Sequence, residues 1–264
     1  MSAPPVDLAA LTAPLRGVTG IILHDVESGD EVAYQPDERF VAASLIKLPV
    51  LWHFFAECSA GRLDPNEQHT LTEADQTPGF GVLRSLQPGL TVRLRDLASW
   101  MITISDNTAT NLLIDRLGIA AVNETIARLG MDGTVLMRKM YDLRDPALNN
   151  YTTPRDMVRF YRQLLDGAGM APQFQAEMLR SLHGQMARNK LPSGLPREVA
   201  LAHKTGDMTA IEHDAGIFFG SRRRVIAVVM SKDLARNVEG VALCRRVGEA
   251  GWAWAQGAPM PAAE

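Results

Sequence analysis

Ser44 and Lys47 stand three residues apart in the stretch VAASLIKLPVLWHFF, Val41 to Phe55. Residues at that spacing share one face of a helix, so a hydroxyl and an ammonium are set one turn apart, just ahead of an apolar run. A serine hydroxyl is a weak nucleophile and needs a base or a field to activate it. A lysine can be that base only where burial and cationic neighbours lower its pKa. The pair also has an ordinary reading, with Ser44 as an N-cap and Lys47 laying its stem on apolar surface with its ammonium in water. Chemistry at Ser44 therefore requires partners from elsewhere in the chain.

Two further polar groups stand in a suitable order. MITISDNTATNLLIDRL places Ser105-Asp106-Asn107 directly before a helical pattern of Ala109, Leu112, Leu113 and Leu117, where such residues also serve as caps. AHKTGDM places Lys204-Thr205-Gly206 at the end of an apolar strand, which reads equally as a strand leaving into a turn at glycine. Taken together, S-x-x-K at a helix start, S-D-N on an interhelical loop and K-T-G on a late strand form the serine acyl-enzyme constellation of penicillin-binding proteins and class A β-lactamases. The chain resembles that superfamily over Leu90 to Gly118 and again in LPSGLP ahead of the K-T-G strand.

The resemblance implies a role for each group. Ser44 is the nucleophile. Lys47, at the floor of a cleft and facing Lys204, holds Ser44 ready and takes or relays its proton. Ser105 carries that proton to the leaving nitrogen, and Asn107 holds a side-chain amide of the substrate. Lys204 and Thr205 bind the substrate carboxylate, and Gly206 lets the strand backbone approach closely. The oxyanion sits between the backbone N–H groups of Ser44 and Asp207.

Three features depart from the pattern. Pro49 falls inside the helix that should carry Ser44 and Lys47, so an irregular first turn is expected, with regular helix from near Pro49. The deacylating glutamate of class A enzymes lies in a long loop with E-x-x-L-N. Here MRKMYDLRDPALNNYTTPRDM offers Asp145-Pro146-Ala147-Leu148-Asn149 only a few residues before Thr152-Thr153-Pro154. Asp145 is the candidate deacylation base, although a base displaced by ~1 Å can lose some hundredfold in rate. The other alignment sets Asn150 at the last loop position and leaves no base. Asp207, finally, puts an acid beside the carboxylate-binding pair, with no arginine assigned to help. His203 and the pair His213-Asp214 look like a dyad. Alternation along a strand turns His203 away if Lys204 faces in, and both histidines stay unassigned.

Elements must position these groups. A short amphipathic helix is expected over 5–15, then a hairpin in VTGIILHDVESGDEVAYQ turning at Glu27 to Asp30. Helices follow from near Ser44 to Ala60 with Gly61 as the stop, and over about 94–103, 108–117, 119–130, 154–167 and 172–183. EVALAHKTG, EHDAGIFFG and RRVIAVVMSKD read as strands, and a last helix covers about 238–256. The fold class is α/β, in an α+β two-lobe arrangement. A five-stranded antiparallel sheet with terminal helices is joined to an all-helical lobe inserted between strands 2 and 3. The expected layout is one catalytic domain, 1–264, with an α/β lobe of about 1–43 and 199–264 and a helical lobe of about 44–198. A cleft between lobes is the usual small-molecule site.

Composition agrees with an ordinary globular protein: 264 residues, 46% apolar, 22% charged and a formal net charge of −3. That balance argues against a nucleic-acid binder, and Arg222-Arg223-Arg224 reads as a hairpin tip. Cys58 and Cys244 fit neither a metal spacing nor a disulfide framework and read as buried free thiols, a single bridge being the alternative. No secretory leader and no apolar run of membrane-spanning length is visible. The chain as it stands is expected to be cytoplasmic, or periplasmic or secreted if a leader has been removed. The expected activity is a serine β-lactamase-type hydrolase opening a β-lactam amide through a Ser44 acyl-enzyme. The alternatives are a D-alanyl-D-alanine-type peptidase or esterase of the same fold, and a β-lactam-acylated binding or sensor module with crippled deacylation. No metal, cofactor, nucleic acid or membrane partner is expected, and a monomer acting on a small molecule is.

Overall fold

The structure, a computed structural model, describes residues 7–260 apart from 146 and 168. In chain order it runs α1 (Leu8–Thr12), β1 (Val18–Asp25), β2 (Glu31–Tyr34), β3 (Phe40–Val41), a 3-10 turn (Ala43–Ile46), α2 (Lys47–Ser59), β4 (Gln68–Thr70), β5 (Thr91–Arg93) and α3 (Leu94–Thr103). It continues through α4 (Asn107–Leu117), α5 (Ile119–Arg128), β6 (Tyr151–Thr152), α6 (Pro154–Asp166), α7 (Pro172–His183), β7 (Leu201–Met208), β8 (Ile211–Phe219), β9 (Arg224–Lys232) and α8 (Asn237–Ala255).

The apolar, β-branched runs at the two ends of the chain pair with each other. Five strands form one sheet in the order β2-β1-β9-β8-β7, antiparallel throughout. Ile22 of β1 lies between Ala33 of β2 and Val228 of β9. Both sheet faces are covered, which is why VTGIILHD shows no polar alternation. Ile22, Ile226, Val228 and Met230 enter the core shared with the middle helices, while Ile21, Leu23, Ala227 and Val229 pack with Leu243, Val247 and Trp254 of α8. That switching of faces is the two-residue period of a strand. On the first side α6 lies on β1 and β9, and α2 is ringed by α3, α4, α5 and α7.

The middle of the chain was expected to be all helical; it is mainly helical but also carries β6, which pairs with β3 just ahead of that middle, and β4 and β5, which pair with each other. Strands of two or three residues carry no readable period, so the pattern could not reveal them. The first ladder ties the segment just ahead of Ser44 to Tyr151 and Thr152. Regular helix begins at Lys47, after the 3-10 turn, and Pro49 falls in the first turn of α2. There the N–H groups have no acceptor within the helix, so proline is tolerated. Ser44 is not a helix cap.

Cys58 and Cys244 are free and buried, in the two different cores. Burial pushes the Cys58 thiol up to about 12 and raises that of Cys244 as well. Arg222 lies in the β8–β9 turn and Arg224 opens β9; Arg223 and Arg224 pair with Asp25 and Glu27. Among the described residues no helix is long and apolar enough to cross a membrane.

α8 approaches the segment before β7 so closely that a Cβ on Gly248 would lie 2.0 Å from the Leu191 carbonyl oxygen. In an open helix alanine is favoured over glycine by about 1 kcal/mol. Here the overlap with backbone outweighs that gain. Gly248→Ala is expected to lower stability by about 1–3 kcal/mol, seen as a lower denaturant midpoint at unchanged slope. A midpoint equal to or above the parent's would refute the close packing.

Candidate active site

Ser44 sits on the 3-10 turn, behind Ala43, whose φ of 45° is left-handed. Lys47 opens α2 and is fully buried. Ser105, at φ 56°, holds the bend between α3 and α4. That bend turns both of its oxygens to one ammonium: Lys47 Nζ donates to the Ser105 carbonyl at 2.8 Å and to Ser105 Oγ at 3.0 Å. Lys47 also donates to Asn107 Oδ1 at 2.8 Å. Ser105 Oγ in turn donates to Ser44 Oγ at 2.9 Å, and Lys204 Nζ donates to Ser105 Oγ at 3.1 Å. Ser44, Ser105, Lys47 and Lys204 are thus one connected group, brought together from a 3-10 turn, a helix start, an interhelical bend and an edge strand. The link from Ser44 to Lys47 runs through Ser105.

Asp106 performs the capping that the sequence allowed. Its Oδ1 accepts from Ala109 N at 2.9 Å as the N-cap of α4, and its Oδ2 accepts from Val82 N at 2.7 Å and Leu83 N at 3.0 Å. Gly81, at φ 113°, permits that approach, because a Cβ there would lie 2.3 Å from the Asp106 carboxylate. Asn107 keeps one amide hydrogen in reserve after donating to the Pro78 carbonyl at 2.9 Å.

The electrostatics follow from burial. Lys47 is held well below the usual lysine range, first by desolvation and then by the like charge of Lys204. Lys204, fully buried, is pushed down to about 7, again mainly by desolvation, with Lys190 adding to it and Asp207 opposing it. Lys204 also donates to the Thr205 carbonyl at 2.9 Å. Thr205 is buried beside it. Gly206 brings β7 against the 3-10 turn: a Cβ there would lie 3.3 Å from Ser44 N and 3.2 Å from Ala43 Cβ.

In front of Ser44 opens a cleft of about 610 Å³. Asn107, Asp207 and Asn237 line it, with Phe80, Tyr141 and Met208 among its apolar walls. The loop after α5 contributes Arg138, Leu143, Asn149 and Asn150. Asn150 pins that loop, accepting from Met137 N at 2.7 Å and Arg138 N at 3.0 Å through Oδ1. Asp145 is not brought to the site: it is exposed, closes its own turn by accepting from Ala147 N at 2.9 Å, and is not among the cleft-lining residues. Pro146 lies outside the described residues.

Three groups lie behind the site: the two histidines that the sequence left unassigned, and Lys190, which it did not mark. His213 accepts from Ser231 N at 3.2 Å on Nδ1, which leaves Nε2 to donate to the Val41 carbonyl at 2.9 Å. Burial pushes its pKa down to about 4, so it is a neutral strut from β8 to the strand ahead of Ser44. His203 bonds Asp214 at 2.9 Å on the α8 side of the sheet, away from the cleft. Asp214 also accepts from Leu191 N at 3.0 Å. Lys190, fully buried, pairs with Asp207 at 2.5 Å and Glu212 at 2.6 Å. In the sequence His203, His213 and Asp214 stand out only as an unassigned dyad, and near Lys190 only the LPSGLP stretch does, because the partners that give these groups their roles lie on other segments.

Comparison with known proteins follows the same line. The model of the β-lactamase enzyme family matches residues 6–255. A β-lactamase of Streptomyces albus G is 29% identical over 262 residues, covering 91% of this chain and 82% of the relative. The crystal structure of a β-lactamase from Sphaerobacter thermophilus superposes with a TM-score of 0.89 at 31% identity, covering 95% of this chain and 97% of that one. A mutant of PBP-A, solved as an acyl-enzyme complex with penicillin G, has a TM-score of 0.84 at 29% identity, with 95% and 98% covered.

The coupling between the two lysines is directly measurable. A positive neighbour disfavours the protonated form of Lys47, so Lys204→Met should raise the Lys47 pKa in a lysine-selective NMR titration. An unchanged or lower Lys47 value would show that the two charges do not interact.

Proposed function

The chain belongs to the β-lactamase enzyme family, and from that premise we propose that it is a serine hydrolase opening β-lactam amides through an acyl-enzyme on Ser44. On this reading residues 1–264 form one catalytic domain, with portions of about 1–43 and 199–264 facing about 44–198 across the cleft. The bonded chain from Ser44 through Ser105 to Lys47 and Lys204 supports it most directly. With Lys47 neutral, the two hydroxyls turn so that Ser44 donates to Ser105 Oγ and Ser105 to Lys47 Nζ; Ser44 Oγ attacks the amide carbon while its proton passes along that path to Lys47. The oxyanion is held by the N–H groups of Ser44 and Asp207, and such preorganised donors are worth about 10²–10³ in rate each. When the C–N bond breaks, Ser105 delivers the proton to the leaving nitrogen. Lys204 and Thr205 receive the substrate carboxylate, Gly206 admits the substrate to the strand edge, and Asn107 offers its remaining N–H to the acyl side chain.

The second half of a hydrolytic cycle needs a base that aims water at the ester. Among the described cleft-lining residues Asp207 is the only carboxylate, and it is paired with Lys190. With Asp145 facing solvent, this favours a long-lived acyl-enzyme, and hence slow turnover, over a fast β-lactamase.

Incubation with penicillin G followed by digestion and mass spectrometry should find the adduct on Ser44. An adduct elsewhere, or none at high drug concentration, would refute the assignment. In single-turnover kinetics acyl-enzyme should accumulate, and Asp145→Asn should deacylate within about twofold of the parent. A loss of about a hundredfold, typical of removing a general base, would restore Asp145 to the mechanism.

The pH dependence of acylation carries a sign. Lys204 is charged below its pKa of about 7 and attracts an anionic substrate there. That attraction is lost as pH rises. The second-order acylation constant for penicillin, which reports the free enzyme, should therefore fall on the alkaline side with an apparent pKa of about 7. An uncharged ester should lack this limb. The same limb for both substrates would remove Lys204 from carboxylate binding.

A further inference from the structure

Lys190 is an unusual residue to bury. It lies in the segment between α7 and β7, has no exposed surface, and does not line the cleft. Its Nζ donates to two backbone carbonyls, Gly206 and His213, each at 3.0 Å. The carboxylates of Asp207 and Glu212 complete its surroundings at 2.5 and 2.6 Å. Burial alone would lower its pKa, but Cys244 and these two carboxylates together outweigh that and leave it raised, so the ammonium stays charged.

The carbonyl it holds belongs to a particular peptide. Phe219 N donates to the Ala200 carbonyl at 2.9 Å. Bonded and non-bonded pairs alternate from there along an antiparallel ladder, so Gly206 and His213, which are opposite each other, form a bonded pair. The Gly206 carbonyl therefore points inward, to β8. In a trans peptide the N–H opposes the C=O, and the described residues contain no cis bond. The Asp207 N–H is thereby turned outward along the free edge of β7. Gly206 runs close beside Ser44 N, since a Cβ on it would lie 3.3 Å from that nitrogen, and Ser44 N–H lies in the first turn of a helix, where such groups lack an intrahelical acceptor. Two N–H donors thus flank the nucleophile, and one belongs to a peptide whose oxygen bears a buried cation.

We propose that Lys190 is a positioning residue of the oxyanion site, orienting and polarising the Gly206–Asp207 peptide through its carbonyl so that the Asp207 N–H is a stronger donor to the developing negative charge. The proposal rests on the acyl-enzyme reading above. A cation on the carbonyl draws electron density from the amide nitrogen, and charge-assisted and chained hydrogen bonds strengthen one another. Asp207 and Glu212 keep the cation charged and in place. A purely structural Lys190 would only neutralise those carboxylates.

Two variants separate the roles. Glu212→Gln keeps Lys190 on the Gly206 carbonyl. Lys190→Met in that background removes the cation, while the net charge of the cluster stays that of the native protein. Folding is checked by circular dichroism and thermal melting. Acylation by penicillin G is followed by mass spectrometry. The ester carbonyl of the accumulated acyl-enzyme is read by isotope-edited infrared spectroscopy, since its stretch rises as oxyanion-site hydrogen bonds weaken. Relative to Glu212→Gln, the double variant should acylate at least about tenfold more slowly, a share of what deleting a whole oxyanion donor costs, and its carbonyl band should move to higher frequency. A folded double variant with the same band and a rate within twofold overturns the proposal and leaves the acyl-enzyme reading standing. If the methionine variant does not fold, Lys190→Gln in the same background keeps a donor without the charge, and an unshifted band there overturns the proposal equally. If the parent gives no Ser44 adduct, the functional reading fails and takes this proposal with it.

Discussion

Two fully buried lysine side chains converge on one serine hydroxyl at the foot of the cleft, and the rest of the site is arranged around that constraint. An isolated buried charge is costly by several kcal/mol even after relaxation. Lys47 and Lys204 meet this cost in part by giving up their protons more readily than exposed lysines do. The remainder is offset by oxygen atoms aimed at each nitrogen. Ser105 supplies two to Lys47, which requires its left-handed backbone, a conformation that costs about 1–3 kcal/mol and persists only where the surroundings enforce it. Asp106 enforces it by capping α4 from one oxygen and clamping the 82–83 backbone with the other. The polar cluster before α4 is thus a helix cap and a reactive bend together.

A second layer works by neutrality. The segment ahead of Ser44 is tethered to the sheet by His213 and to the loop after α5 by the β3–β6 ladder. Because the imidazole of His213 is held uncharged down to about 4, the tether keeps its hydrogen-bond polarity across the working pH range while the lysines beside it titrate. Rigidity and titration are thereby assigned to different residues.

The three motifs were legible because each couples side-chain type to a local period: one helical turn, one cap, one strand end. The sheet was legible because its strands are long. The short ladders were not, since two residues define no period. Asp145 misled because its resemblance to E-x-x-L-N is local, whereas the path of a shortened loop is decided by Asn150 and Arg138 bonding across it. Lys190 was silent and His213 stayed without a role for a related reason. Their meaning lies in backbone carbonyls of other segments, and every residue has such a carbonyl.

The central pairing of the sheet joins positions about two hundred residues apart, Ile22 with Val228. Such non-local contacts form late, after their loop-closure entropy has been met. Until β9 has been made, the edge of β1 that pairs with it has no partner, and β8, which carries the strut to Val41, follows most of the chain. A chain made as far as β6 therefore holds Ser44, Lys47 and Ser105 and still lacks Lys204, the tether and Asp207. On the acyl-enzyme reading, competence for acylation arrives only with the last strands, and the growing polypeptide is inert towards its substrates through most of its synthesis.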